Sequence, residues 1–108
     1  MTIRFLRVAQ AEFDEAVAWY QTASPGLDLA FRIDVAAKLE TVRAYPMSSP
    51  ELVPGIRRAS LRRFPYSLIF SIVEGGIVVI AVAHMRRRPR NWRARLSDPQ
   101  ASGAAGQT

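Results

Sequence analysis

The chain has 108 residues, close to the roughly 100–150 typical of one domain, and is 49% hydrophobic and 22% charged, a balance that excludes a disordered chain. Its longest apolar run, Ile77 to Ala83, is far short of the about 20 residues a spanning helix needs, so a membrane protein is excluded. With no cysteine and one histidine, His84, neither a disulfide framework nor a zinc site is expected, and no cofactor motif is present. The N-terminus alternates apolar and basic residues and lacks the apolar stretch of a secretory signal, so the expected location is the cytoplasm.

The net charge of +6 is unevenly placed. Residues 1–54 hold five basic and seven acidic side chains, a balance of −2. Residues 55–108 hold ten arginines against Glu74 and Asp98, a balance of +8, and six of those arginines fall between Arg86 and Arg95. The bias to arginine over lysine points to an acidic or polyanionic partner, because a planar guanidinium grips phosphate and carboxylate bidentately.

Ile3 and Phe5 alternate with Thr2 and Arg4 and predict a first strand. From about Gln10 to Thr22, Phe13, Ala16, Val17 and Tyr20 recur at helical spacing, with Glu12, Asp14 and Glu15 in the first turn, where the dipole favours anions. Trp19 is expected to pack beside this stripe. Ser24-Pro25-Gly26 breaks the helix, and a second runs from Leu27 through Phe31, Val35, Leu39 and Val42 to Tyr45, where Pro46 stops it. The two make an αα-hairpin. Met47 to Gly55, with Pro50 and Pro54, reads as a loop.

The period then changes to two. Ile56–Arg63, Tyr66–Glu74 and Ile77–His84 predict three strands, joined by Phe64-Pro65 and by a Gly75-Gly76 turn. A short basic helix is expected from Pro89 to Leu96, followed by a disordered tail over 97–108. The fold class is therefore α+β, in one domain over 1–96. An N-terminal strand and an αα-hairpin pack on one face of a small antiparallel sheet that ends in a three-strand meander.

If the Gly-Gly turn pairs Glu74 with Ile77, then Leu68, Phe70, Ile72, Val79, Ala81 and Ala83 share an apolar face, the seat of the hairpin. The opposite face carries Ile69, Val73, Ile80 and Val82 as a partly open groove, with Ser67, Ser71, Val78 and His84. A two-residue Phe64-Pro65 connection adds Arg58, Ser60 and Arg62 to it. Arginines beside an imidazole suit phosphodiester cleavage, but no second proton-transfer group stands with them. The alternative is that His84 caps a strand. Arg86, Arg87, Arg88, Arg90 and Trp92 form a basic rim suited to binding, and the Arg86 to Arg95 segment is expected to take little part in the fold beyond Trp92, which either anchors the last helix or stacks on a base.

Several strings stand in this order: Ala11-Glu12-Phe13-Asp14-Glu15-Ala16-Val17-Ala18-Trp19-Tyr20, Ser24-Pro25-Gly26-Leu27, Phe31, Pro46, Arg57-Arg58, Phe64-Pro65-Tyr66, Ile80-Ala81-Val82-Ala83-His84 and Arg86-Arg87-Arg88-Pro89-Arg90-Asn91-Trp92. Together they resemble the RelE/ParE toxin superfamily, in particular its ParE-like, plasmid-stabilisation branch, over residues 3–96. The resemblance implies the toxin of a bacterial type II toxin–antitoxin module, a growth inhibitor neutralised by a cognate antitoxin. Family members either poison DNA gyrase or cleave messenger RNA on the ribosome. Arg58, Arg62 and His84 match the nuclease positions approximately, and no tyrosine follows His84, which favours the gyrase poison. An mRNA endonuclease with that residue set, and a non-toxic antitoxin- or nucleic-acid-binding module, are the alternatives.

Overall fold

The computed structural model describes residues 1–86 and 92–97. Strand β1 (Thr2–Phe5) leads into helices α1 (Arg7–Ala23) and α2 (Leu27–Ala44). After a 3₁₀ turn, Pro46–Ser48, come β2 (Glu51–Val53), β3 (Ile56–Ser60), β4 (Tyr66–Val73) and β5 (Gly76–His84), and a second 3₁₀ turn spans Trp92–Ser97. Among the described residues the strands form one sheet in the order β1-β5-β4-β3-β2. The class is α+β as expected, but the sheet is mixed, because β1 lies parallel to β5.

Helix α1 starts at Arg7, three residues before the expected Gln10, because Leu6 donates its N–H to the Val79 carbonyl at 2.9 Å and turns the chain off the sheet. Glu12, Asp14 and Glu15 therefore lie beyond the first turn, which holds no acid. Phe13, Tyr20, Phe31, Phe64 and Tyr66 form one aromatic cluster, with successive ring centroids 4.9–5.7 Å apart, and this cluster locks the hairpin to the sheet. Trp19 departs from the packing expectation. It points away from the stripe, is 56% exposed and touches Tyr20 edge-on.

Three features of the sheet differ from the sequence expectation. Glu51–Val53 form β2 inside the stretch read as a loop, because three residues between two prolines leave too short an alternation to register. The β4–β5 turn is Glu74-Gly75, not Gly75-Gly76. Val73 pairs with Gly76, and Gly75 alone takes positive φ (80°), as at the second position of a type II turn. Gly76 is needed in the strand instead, since a Cβ there would come within 2.5 Å of the Thr2 carbonyl oxygen on β1.

The third difference is a bulge. Ile72 pairs with Ile77 and Phe70 with Val79, but Ile69 pairs with Ala81, which leaves Ile80 as the extra residue. Side-chain parity inverts beyond it. The helix-facing side carries Tyr66, Leu68, Phe70, Val79, Val82 and His84; the other carries Ser67, Ile69, Ser71, Val78, Ala81 and Ala83. Between β3 and β4 the connection is Leu61–Pro65 rather than two residues. The register moves by two, so parity survives: Arg58 pairs with Ile69 and Ser60 with Ser67.

Candidate functional site

The chemistry-bearing residues gather at the His84 end of β5, where β1 has stopped. Since β1 pairs only as far as Val79, the following edge of β5 has no strand beside it among the described residues. Two side chains take over its backbone groups. The Glu12 carboxylate accepts the Val82 N–H at 3.1 Å, and Arg95 donates to the Ile80 carbonyl at 3.0 Å. Arg95 also holds Glu12 bidentately, at 2.8 and 3.0 Å, with both side chains largely withdrawn from water.

This pair ties the C-terminal segment to α1 and the sheet. Trp92, only 9% exposed, belongs to the core cluster that also holds Ile69, Val78 and Ile80, with Leu96 packed against it. Arg93 sets its guanidinium 5.5 Å from the Trp92 ring centre, a cation–π contact. The expected Pro89–Leu96 helix appears as the Trp92–Ser97 3₁₀ turn, residues 89–91 lying outside the described residues. The segment is thus built into the fold through Trp92 and Arg95, contrary to the expectation that it takes little part there. Arg86 is exposed at the end of β5. Arg87, Arg88 and Arg90, and the tail from residue 98, lie outside the described residues.

His84 pairs with Tyr66 across the sheet, ring centroids 4.9 Å apart and nearly perpendicular. Its Nδ1 accepts the Arg86 N–H at 3.0 Å, so a neutral imidazole carries its proton on Nε2. Arg58 leaves β3 from the opposite side of the sheet, with Ile69 and Ser67. Arg62 has left the strand for the Leu61–Pro65 connection, which is pinned where buried Asp34 accepts the Arg63 N–H at 3.0 Å. The structure therefore does not bring Arg58 and His84 onto one face. The single-residue bulge at Ile80 is the cause, and the all-apolar sequence around it gives no sign of it.

The groove expectation is altered by the same bulge. Ile69, Ile80 and Val82 are at most 3% exposed, Val82 having moved to the helix side, and Val73 alone of the four keeps partial exposure. Among the described residues, no three His, Cys, Asp or Glu side chains gather as metal ligands would. No helix among them is long and apolar enough to cross a membrane.

Residues 3–89 match the family model described as the ParE toxin of the type II toxin–antitoxin system parDE. A solved chain from a chromosomal ParDE toxin–antitoxin system of P. aeruginosa superposes with a TM-score of 0.63 at 24% identity, over 80% of this chain and 97% of that one. At that identity the superposition shows a shared fold. No curated protein sequence matches.

Proposed function

We propose that this chain, which belongs to the ParE toxin family of type II toxin–antitoxin systems, inhibits growth by acting on DNA gyrase in the cytoplasm. A cognate antitoxin neutralises it. The observation that carries the gyrase reading over mRNA cleavage is the placement of Arg58 and His84 on opposite faces of the sheet. General acid–base cleavage wants its groups within hydrogen-bond reach of one phosphodiester. With His84 Nδ1 engaged by the Arg86 N–H, the imidazole serves as a strand-end hydrogen-bonding group.

Binding is assigned to the basic rim. Arg86, with Arg87, Arg88 and Arg90, continues from β5 into a segment anchored by Trp92 and Arg95, and its charge suits an acidic partner segment or the target. Trp92 supports that rim from within the core. Expression of the chain alone, and beside the neighbouring reading frame, tests the pairing. Growth arrest alone, relief on co-expression and a complex that co-purifies are expected. An inert chain that captures no neighbour would overturn the reading.

A further inference from the structure

Helix α2 is buried along one side only. Phe31, Asp34, Val35 and Val42 are buried, and the opposite side carries Leu29 and Ile33, 58% and 57% exposed, followed by exposed Ala36, Ala37 and Glu40. Single exposed apolar residues are ordinary on a protein surface. Here, however, Leu29, Ile33, Ala36, Glu40 and Arg43 follow one another at alternating spacings of four and three, the heptad spacing that sets a seam along one side of a helix.

The charge on this helix indicates what kind of partner fits. The chain carries +6, yet α2 holds Asp28, Asp34 and Glu40 against Arg32, Lys38 and Arg43 and is neutral. A polyanion or an acidic segment gains no attraction from it. Apart from buried Asp34 and half-buried Lys38, the signs alternate from Asp28 to Arg32, Glu40 and Arg43. Read in reverse, that series is its own complement, so an antiparallel copy of the helix meets an opposite charge at each of the four positions.

We propose that α2 is the interface of a homodimer, in which two copies of this chain pair their α2 helices antiparallel about a two-fold axis between Ile33 and Ala36. This register lays Ile33 of each copy on the small Ala36 of the other, and Leu29 along the aliphatic stem of Glu40. Along the helix axis, Glu40 then lies within one turn, about 5.4 Å, of the level of the copy's Arg32, and Arg43 within one turn of the level of its Asp28. Within the chain Arg43 reaches Glu40 through Nε at 3.6 Å, with both side chains still open to solvent at 47% and 71%. The assignment does not depend on the gyrase reading.

Sedimentation velocity of the purified full chain, from micromolar to several hundred micromolar, tests it. The mass should rise from monomer to dimer with concentration. Ile33→Asp places a charge at two symmetric positions at once and should weaken the dimer about hundredfold, while helix content by circular dichroism stays that of the wild type. Arg32→Glu should weaken it about tenfold, and adding Glu40→Arg should restore it, since the series is then complementary again. Trp19→Ser, which removes an exposed apolar residue from α1, should leave it unchanged. If Ile33→Asp fails to fold, the charge reversal and its rescue carry the test. A monomer at every concentration, a dimer unmoved by Ile33→Asp, or a reversal that the double variant does not rescue would overturn the assignment. So would a chain that is monomeric alone and whose α2 amides gain exchange protection only beside the antitoxin, because the antitoxin then covers the seam.

Discussion

The Arg95 guanidinium does the work a sixth strand residue would do. It reaches over the edge of β5 to the Ile80 carbonyl and clamps the carboxylate that receives the Val82 N–H. Removing one partner of a pair this withdrawn from water leaves a stranded charge and two edge groups poorly satisfied. Arg95→Gln should therefore cost about 3 kcal/mol in urea unfolding, and Glu12→Gln a similar amount. The double variant should lose less than the two losses added, because neither charge is then left alone. Trp92→Ala, which empties a core position, is expected to cost about 3–5 kcal/mol. Exposed Arg86→Gln should stay within about 0.5 kcal/mol. This ranking separates residues that fix the C-terminal segment from residues that face a partner, and equal effects at Arg95 and Arg86 would contradict it.

At the scale of elements, the β4–β5 hairpin and its neighbour β1 depend on two adjacent glycines with different duties. Gly75 supplies positive φ in open space, so Gly75→Ala should cost on the order of 1 kcal/mol through backbone strain. Gly76→Ala has no φ problem but drives a Cβ into the Thr2 backbone, so β1 must shift off β5. It should be the more destabilising of the two, and hydrogen exchange at the β1 amides would show the loosening. Both helices, the meander and the helix-facing core as far as Leu68, Phe70 and Val79 were legible in the sequence, because helical spacing and strand alternation reflect burial directly; Ala81 and Ala83, beyond the bulge, were read onto the wrong face. The tight turn slipped by one residue because Glu74-Gly75 and Gly75-Gly76 satisfy turn chemistry equally well. The Ile80 bulge was hidden because Val78 to Ala83 is apolar at every position, so neither parity leaves a polar residue misplaced. Among the candidate site residues, Arg58 kept its predicted face because the longer β3–β4 connection moved the register by two. His84 lost its predicted face because the bulge moved it by one. Arg95 was legible only as one more arginine; its partner lies 83 residues away.

For the whole molecule, the charge is divided between the two halves of the sequence. Both halves build the core, the −2 half through the hairpin and the +8 half through the sheet, and the arginines of the rim, which follow β5 in sequence, belong to the +8 half. If that rim is the binding surface, replacing Arg86, Arg87, Arg88 and Arg90 with glutamine should abolish growth inhibition while the melting temperature stays nearly constant. A fully toxic quadruple variant would count against it. His84→Gln retains hydrogen-bonding capacity and removes only the titration, so it should remain toxic under the binding account. Under a nuclease account it should lose the about 10²–10⁴-fold that a general acid or base contributes. The most direct measurement is DNA supercoiling by purified gyrase with added wild-type chain, run beside translating ribosomes that receive the same protein. The account predicts that supercoiling is lost, that a co-purified antitoxin restores it, and that the ribosomes yield no new messenger-RNA ends. Gyrase left fully active while A-site cleavage appears, and disappears in His84→Gln, would contradict it.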